Sequence, residues 1–206
     1  MTTELLTLTQ WLSPAFPLGS FAYSHGIETA IRAGDIRDAA TLEDWLEVVL
    51  TRGSGWNDAV LLSAAQRGED VADLARALAG SRERLEETEA QGAAFAATLR
   101  AMGHQIEDAP LPVAVGEATR GFALKSDLIA GLYLQNFMSN LVQVAVRFVP
   151  LGQSDGQAVL ARLAPPITDT ATRAAAADVT QLGSGAFFSD ISAMQHESEV
   201  ARMFRT

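Results

Sequence analysis

The sequence predicts an all-α protein, a single compact domain of roughly ten helices with mobile N- and C-terminal segments. Three observations lead there. Alanine and leucine dominate, and β-branched runs with period-two alternation are scarce. No Asn-Gly or Asp-Gly stands between two strand-like runs, as a hairpin would require. Glycine, proline and capping residues punctuate the chain at helix-length intervals. With no internal repeat and no low-complexity linker, residues 1–206 are expected to form one unit, with 186–206 as a partner-dependent tail.

The elements follow in order. Leu5 to Leu12 reads as a short helix stopped before Pro14. Residues 13–20 carry Pro14, Pro17 and Gly19 and form a shaped turn, after which a helix from about Phe21 to Ala33 ends at Gly34. Thr41 is the expected N-cap of a helix through Leu50. Gly53 and Gly55 break the chain before a helix from about Asn57 to Gln66, and a short one follows from about Val71 to Leu78. From Ser81 to Met102 the residues Leu85, Thr88, Gly92, Phe95, Leu99 and Met102 share one helix face, and Gly92 on it predicts close approach of another helix. Pro110 and Pro112 open a helix from about Val113 to Leu124. Ser126 is the expected N-cap of a long helix ending before Pro150. Ser154-Asp155-Gly156-Gln157 starts a helix to about Leu163, and Pro165-Pro166 separate it from one through about Thr180. Gly183-Ser184-Gly185 then links to the tail.

Composition narrows the function. A chain of 206 residues buries roughly 70% of its unfolded surface, enough to hold together without a disulfide or a structural metal. It has no Cys, which removes disulfides, Cys-based zinc sites and iron–sulfur clusters. A net charge of −10 repels phosphate backbones, so nucleic acid is not an expected partner, whereas a basic protein would be attracted. Met1-Thr2-Thr3-Glu4 lacks the basic and long apolar regions of a secretory signal, so none is expected. The longest apolar stretch, Leu128 to Val149, contains Gln135, Asn136, Asn140, Gln143 and Arg147, which lipid would not tolerate. No membrane span is expected, and the expected location is the cytoplasm.

Candidate chemistry is sparse. Gly152-Gln153-Ser154-Asp155-Gly156 lacks the lysine and the preceding strand of a phosphate-binding loop and reads as a helix cap. His196-Glu197-Ser198-Glu199 could offer an imidazole and carboxylates, but adjacent helical residues diverge by ~100° and would not face one ion. Ser24, His25 and Glu28 suggest a Ser/His/acid set. Catalytic triads are assembled in space with an oxyanion hole, so His25 and Glu28 are expected instead to make local hydrogen bonds near a helix start. No catalytic, cofactor or metal residue is therefore expected. Asn136, Asn140, Gln143 and Arg147 form a polar seam on the 126–149 helix, opposite Tyr133, Phe137, Leu141, Val144 and Phe148. That seam either bonds helices inside the core or lines an interface or wet passage. In the tail, Ile191, Met194, Val200, Met203 and Phe204 must pack on the body or fold onto a partner.

Three ordered motifs resemble the family of the urease accessory protein UreF. They are Ser13-Pro14-Ala15-Phe16-Pro17-Leu18-Gly19-Ser20-Phe21-Ala22-Tyr23-Ser24-His25-Gly26-Ile27-Glu28; Leu134-Gln135-Asn136 with Ser139-Asn140-Leu141, running through Arg147 into Pro150-Leu151-Gly152-Gln153; and Ser189-Asp190-Ile191 with Met194-Gln195-His196-Glu197, ending in Arg202-Met203-Phe204-Arg205. The resemblance implies an all-helical, non-catalytic scaffold. It would bridge the accessory protein UreD (or UreH) and the GTPase UreG for nickel insertion into apo-urease, modulate GTP hydrolysis by UreG, and form a homodimer. It further implies partner-binding roles for Phe16, Tyr23, Ser24, Glu28, His196, Glu197, Arg202, Phe204 and Arg205, with Tyr23 and the two arginines as anchors. Gln195 departs from the family, which commonly has Arg there, so a basic cluster at that step is not implied. Two other readings are an enzyme, either a helical hydrolase or a metal-dependent enzyme using His25, His196 and nearby carboxylates, and a stand-alone all-α regulator. The regulator would bind a ligand in a closed apolar pocket beside the seam.

Overall fold

Every residue from Gly55 to Ala65 is buried, and that stretch marks the centre of the molecule. A helix buried on every side must be enclosed by other helices, and its few polar residues, Asn57, Asp58 and Ser63, must find partners inside. In a computed structural model that describes residues 2–205, the described residues form eleven α-helices and two 3-10 turns and contain no strand. The helices are α1 (Thr3–Trp11), α2 (Ile27–Ala33), α3 (Ala39–Arg52), α4 (Ser54–Arg67), α5 (Ala72–Ala77), α6 (Arg82–Ala101), α7 (Leu111–Ala118), α8 (Ser126–Val146), α9 (Gln153–Arg162), α10 (Ala164–Ala176) and α11 (Phe187–His196). The 3-10 turns are Ser20–Ala22 and Val179–Gln181.

The central helix α4 is surrounded by α3, α7, α8 and α10. Around it, α8 also packs on α9 and α10, and α6 packs on α7. The last helix, α11, lies across α2 and α6. Two glycines set the tightest approaches. A Cβ at Gly116 would stand 2.4 Å from the Leu62 carbonyl oxygen, so α7 presses directly onto the α4 backbone. A Cβ at Gly92 would stand 1.8 Å from the Ala109 carbonyl oxygen. The close approach expected at Gly92 is thus made by the chain entering α7. Among the described residues, no helix is long and apolar enough to cross a membrane.

Several boundaries differ from the sequence expectation for local reasons. The N-cap of α3 is Asp38, whose carboxylate accepts from the Thr41 N–H at 2.9 Å; Thr41 returns the bond from the third helical position instead of capping. Gly55 lies inside α4, leaving Gly53 as the only break before it. Lys125 caps α8 and Ser126 is its first residue. Gly152 caps α9, with its N–H donated to Asp155 Oδ2 at 3.1 Å. The helix after Pro112 stops at Ala118, and α10 stops at Ala176. The expected helix from Phe21 to Ala33 is broken at residues 23–26, where His25 (φ 56°) and Gly26 (φ 76°) both enter the left-handed region.

Gly92→Ala is expected to lower stability by about 1–3 kcal/mol, the usual cost of overpacking. The direction is informative, because Ala in an unobstructed helix would instead stabilise by roughly 0.8–1 kcal/mol. Urea denaturation of the variant reads the sign; a gain in stability would show that the segment at Ala109 moves aside freely.

Candidate functional site

Two consecutive left-handed residues turn the chain sharply between the first 3-10 turn and α2. A non-glycine residue there is uncommon and persists only where surrounding structure holds it. Here the turn drives His25 and Glu28 inward, leaving them 8% and 0% exposed. Gly26 caps α2 and has α11 resting on it: a Cβ would lie 2.7 Å from the Ala193 backbone nitrogen.

Beneath this turn, α6 presents two glutamates one helical turn apart, Glu83 and Glu87, both buried. Glu87 meets the His25 Nδ1 at 3.3 Å and accepts from the Gln91 side-chain amide at 3.1 Å. The His25 Nε2 lies 2.8 Å from the Ser54 hydroxyl. Beside them the Arg84 guanidinium donates to Asp58 at 2.7 Å and lies 3.6 Å from Glu87, while the Tyr133 hydroxyl donates to Asp58 at 2.7 Å. Burial opposes the Glu87 charge, yet Arg84 and His25 hold its carboxyl below the usual range. Burial likewise opposes the Arg84 charge, but Asp58 and Glu87 keep the guanidinium even more firmly protonated than usual. Burial, then the Asp58 carboxylate, push the Tyr133 phenol well up, so it remains a donor.

Glu83 belongs to a second cluster shared with the C-terminal segment. It meets His196 Nδ1 at 2.8 Å, and His196 Nε2 lies 3.4 Å from Glu28. Arg202 also donates to Glu83, and Arg32 bridges Glu28 and Glu199. Glu28 accepts two backbone donors from the tail, the N–H of Met203 and that of Phe204, both at 3.1 Å. Burial would raise the Glu28 carboxyl; those two N–H groups, His196 and Arg32 together bring it below its ordinary value. Nearby, the Arg205 N–H donates to the Ala22 carbonyl at 2.7 Å, and Glu197 accepts from the Arg82 N–H at 2.8 Å. Glu28, His196 and Glu199 bring one donor atom each within 4.8 Å of one another, but these atoms already face Arg32, tail N–H groups and one another. The arrangement is a closed ion-pair cluster and does not present free lone pairs to a metal.

The helix that carries His196 is inside out. Its buried face is polar, formed by Ser189, Ser192 and His196. Its outer face carries Phe187 (68% exposed), Phe188 (78%), Ile191 (48%) and Met194 (51%). Beyond the helix Val200 and Met203 are also exposed, while Phe204 turns inward and packs on Phe148.

The sequence-predicted residues therefore divide. Phe16, Tyr23, Ser24, Glu28, His196 and Phe204 are buried; Glu197 is half-buried; Arg202 and Arg205 are exposed. Glu28 makes the expected local bond, to Arg32 on its own helix, and adds long-range ones to His196 and the tail; the bonds of His25 are long-range, because the left-handed turn aims it away from α2. On α8, the amides Asn136, Asn140 and Gln143 are half-exposed, so the polar seam lies at the surface and not inside the core. Arg147 is exposed and places its guanidinium 5.9 Å from the Phe21 ring centroid and 6.0 Å from that of Phe204. The seam thereby touches both terminal motifs. Sequence reasoning missed Asp58, Glu83, Arg84 and Glu87. In sequence, Arg82-Glu83-Arg84-Leu85-Glu86-Glu87 has the pattern of a solvated helix face.

Two consequences can be measured. A carboxyl whose pKa is depressed by folding stabilises the fold above its ordinary value of 4.5, and that contribution disappears as pH falls through the lowered folded value. Stability is thus expected to fall on acidification below about pH 5, and Glu87→Gln should both destabilise the chain at neutral pH and flatten that acid-side slope. Urea midpoints measured across this range would contradict the assignment if the variant kept the parent slope. Gly26→Ala is expected to lift α11 while sparing the α4 core. Hydrogen exchange would show faster amide exchange confined to residues 187–205, and uniform acceleration across all helices would count against this.

Comparison with known proteins adds the lineage. The UreF family model matches residues 36–164. The urease accessory protein UreF of Cereibacter sphaeroides (strain KD131 / KCTC 12085) is 52% identical over 210 residues, covering 100% of both chains. That of Jannaschia sp. (strain CCS1) is 50% identical, covering 100% of this chain and 96% of its own. The urease accessory protein UreF 1 of Brucella suis biovar 1 (strain 1330) is 46% identical over 217 residues, covering 100% of this chain and 95% of its own. Matches of this extent, over a fold whose buried clusters join the motifs at both ends, place the chain in the UreF family of urease accessory proteins.

Proposed function

We propose that this chain serves urease maturation as a non-catalytic scaffold, holding UreD (or UreH) and the GTPase UreG together for nickel insertion into apo-urease and modulating GTP hydrolysis by UreG. The observation that best supports a docking role is the inverted polarity of α11. A helix that turns serines and a histidine inward and two phenylalanines, an isoleucine and a methionine outward leaves its apolar face for another protein to cover. Burying each such side chain is worth about 1.5–3 kcal/mol. An exposed apolar helix face followed in the chain by two exposed arginines, Arg202 (itself paired with Glu83) and Arg205, has the composition of an interface centre and its rim.

In this reading the buried family-motif residues act by shape. Glu28 and His196 seat α11 and the tail, Tyr23 is buried in the turn before α2, and the exposed side chains make the contacts. The scaffold is proposed to work as a homodimer in the cytoplasm. The stand-alone regulator reading has less support, since it calls for a closed pocket beside a seam whose amides are half-exposed.

The test is co-purification with cognate UreD/UreH and UreG, with GTP and magnesium, read by size exclusion with light scattering. Phe188→Asp/Ile191→Asp is expected to keep the parent circular dichroism and melting temperature, because both positions are exposed, and to weaken complex formation at least tenfold, about 1.4 kcal/mol. A stoichiometric complex formed by the folded double variant would remove α11 from the interface. The same chromatography of the chain alone reads the dimer.

A further inference from the structure

We propose that the strip of α8 from Asn136 to Arg147 is a second docking surface, one that reads the main chain of an extended segment of another protein whose acidic end meets Arg147. The strip is bounded on both sides. Helical residues turn ~100° per step, so Val142 and Val146 lie to one side of the line through Asn136, Asn140, Gln143 and Arg147, and Phe148 lies to the other. Helix α9 covers the first side: a Cβ at Gly156 would stand 2.7 Å from a Val146 methyl and 3.1 Å from one of Val142. The tail covers the second, with the Phe204 ring centroid 5.4 Å from that of Phe148. Between them the three amides stay half-exposed and the arginine exposed.

These side chains are unused within the chain. Elsewhere in the fold amides are engaged: Asn57 accepts from the Gly183 N–H, Gln66 accepts from the Ser126 hydroxyl, and Gln91 donates to Glu87. Among the described residues no hydrogen bond holds Asn136, Asn140 or Gln143; along the chain, side-chain hydrogen bonds stop at Tyr133 and resume at Asp155. Arg147 is placed in the same way. Most arginines of this acidic chain meet a carboxylate, as Arg84, Arg162 and Arg173 do, whereas none among the described residues pairs with Arg147. Its guanidinium rests against the rings of Phe204 and Phe21, the latter 41% exposed. Arg205 comes to the same spot, since its N–H bonds the carbonyl of Ala22, the residue after Phe21. An arginine beside an exposed aromatic ring has the chemistry of an interface anchor.

Spacing selects the ligand. Each carboxamide carries both a donor and an acceptor, the complement of a peptide bond. Amides one turn apart, such as Asn136 and Asn140, are separated by about 6 Å along the axis at ~1.5 Å per residue. An extended chain repeats its like-facing peptide groups every ~6.6 Å. The match holds over the whole strip, because the steps from Asn136 to Arg147 cover about 16 Å, the length of roughly five extended residues. A helical ligand would not serve, since its backbone groups are consumed in its own hydrogen bonds. The net charge of −10 repels a strongly acidic body at long range. The segment therefore carries its carboxylate at the Arg147 end and uncharged residues along the amides. This surface belongs to a different helix from the apolar face of α11 and does not depend on the role proposed for that face.

The experiment uses the full-length chain and a library of end-capped hexapeptides in which each position is varied in turn. Bound peptides are expected to carry Asp or Glu near one end and to tolerate many residues elsewhere. In solution the best of them should shift the side-chain NH2 signals of Asn136, Asn140 and Gln143 in proton–nitrogen spectra. Methylating its backbone nitrogens one at a time should weaken binding about tenfold at alternate positions, the period of an extended chain. Asn140→Ala should weaken all bound peptides about tenfold, whereas Arg147→Ala should remove the preference for an acidic over a neutral end. Both variants are expected to keep the parent melting temperature, since neither side chain is buried. Should either lose its fold, the methylation pattern and the wild-type shifts decide. A library without binders would overturn the proposal. So would binders with no acidic preference, binding indifferent to methylation or to the loss of Arg147, or inorganic phosphate alone reproducing the shifts. Self-association that Arg147→Ala abolishes in light scattering would give the strip to a second copy and overturn it likewise.

Discussion

The two glutamates that α6 carries on its buried face, Glu83 and Glu87, hold the functional end of this protein together. Each meets a histidine from a different part of the chain, His25 from the N-terminal turn and His196 from the last helix. One helix thereby sets the distance between segments more than a hundred residues apart in sequence. Remove a carboxylate and the buried histidine that faces it loses its partner, at a cost of about 1–3 kcal/mol. That penalty exceeds what a typical surface pair contributes, and it favours one relative placement of the two terminal motifs.

A polar core of this kind is a poor way to gain stability, since well-packed apolar residues of equal volume often do as well. Its value lies in selecting one arrangement. The apolar cluster around α4 could accept many small repackings, but Arg84, Asp58, Tyr133, Glu87 and His25 satisfy one another in only one geometry. The protein thus combines a permissive helical bundle with an exacting polar layer. Glycines at positions 26, 92 and 116 bring backbones close enough for the two to mesh.

Much of the bundle was legible in the sequence because helices announce their ends locally. Gly34, the prolines at the start of α7 and Ser81 at the start of α6 gave boundaries within a few residues. Misplaced caps arose where one residue could serve two positions: Thr41 has the chemistry of an N-cap, but Asp38 lies three residues ahead of it and takes that place. The break at His25 was invisible because nothing in a lone Ser-His-Gly distinguishes a left-handed pair from a helix start. The buried clusters were less legible still. A glutamate in a charged run carries no local sign of burial, and its partner may lie anywhere in the chain. The tail was an exception, since apolar residues beyond a Gly-Ser-Gly link stand out by position alone. The family resemblance identified the same segments, but not how they are joined.

The inverted helix has a consequence for how the protein behaves in bulk. With Phe187, Phe188, Ile191 and Met194 turned toward water, two copies that meet through α11 gain apolar burial. What opposes this is the net charge of −10, which makes like molecules repel at long range. That repulsion fades over a Debye length of about 8 Å at physiological ionic strength, whereas the apolar attraction does not depend on it. Added salt therefore tips the balance toward self-association, and a partner that covered α11, as proposed above, would act colloidally as the molecule's solubiliser.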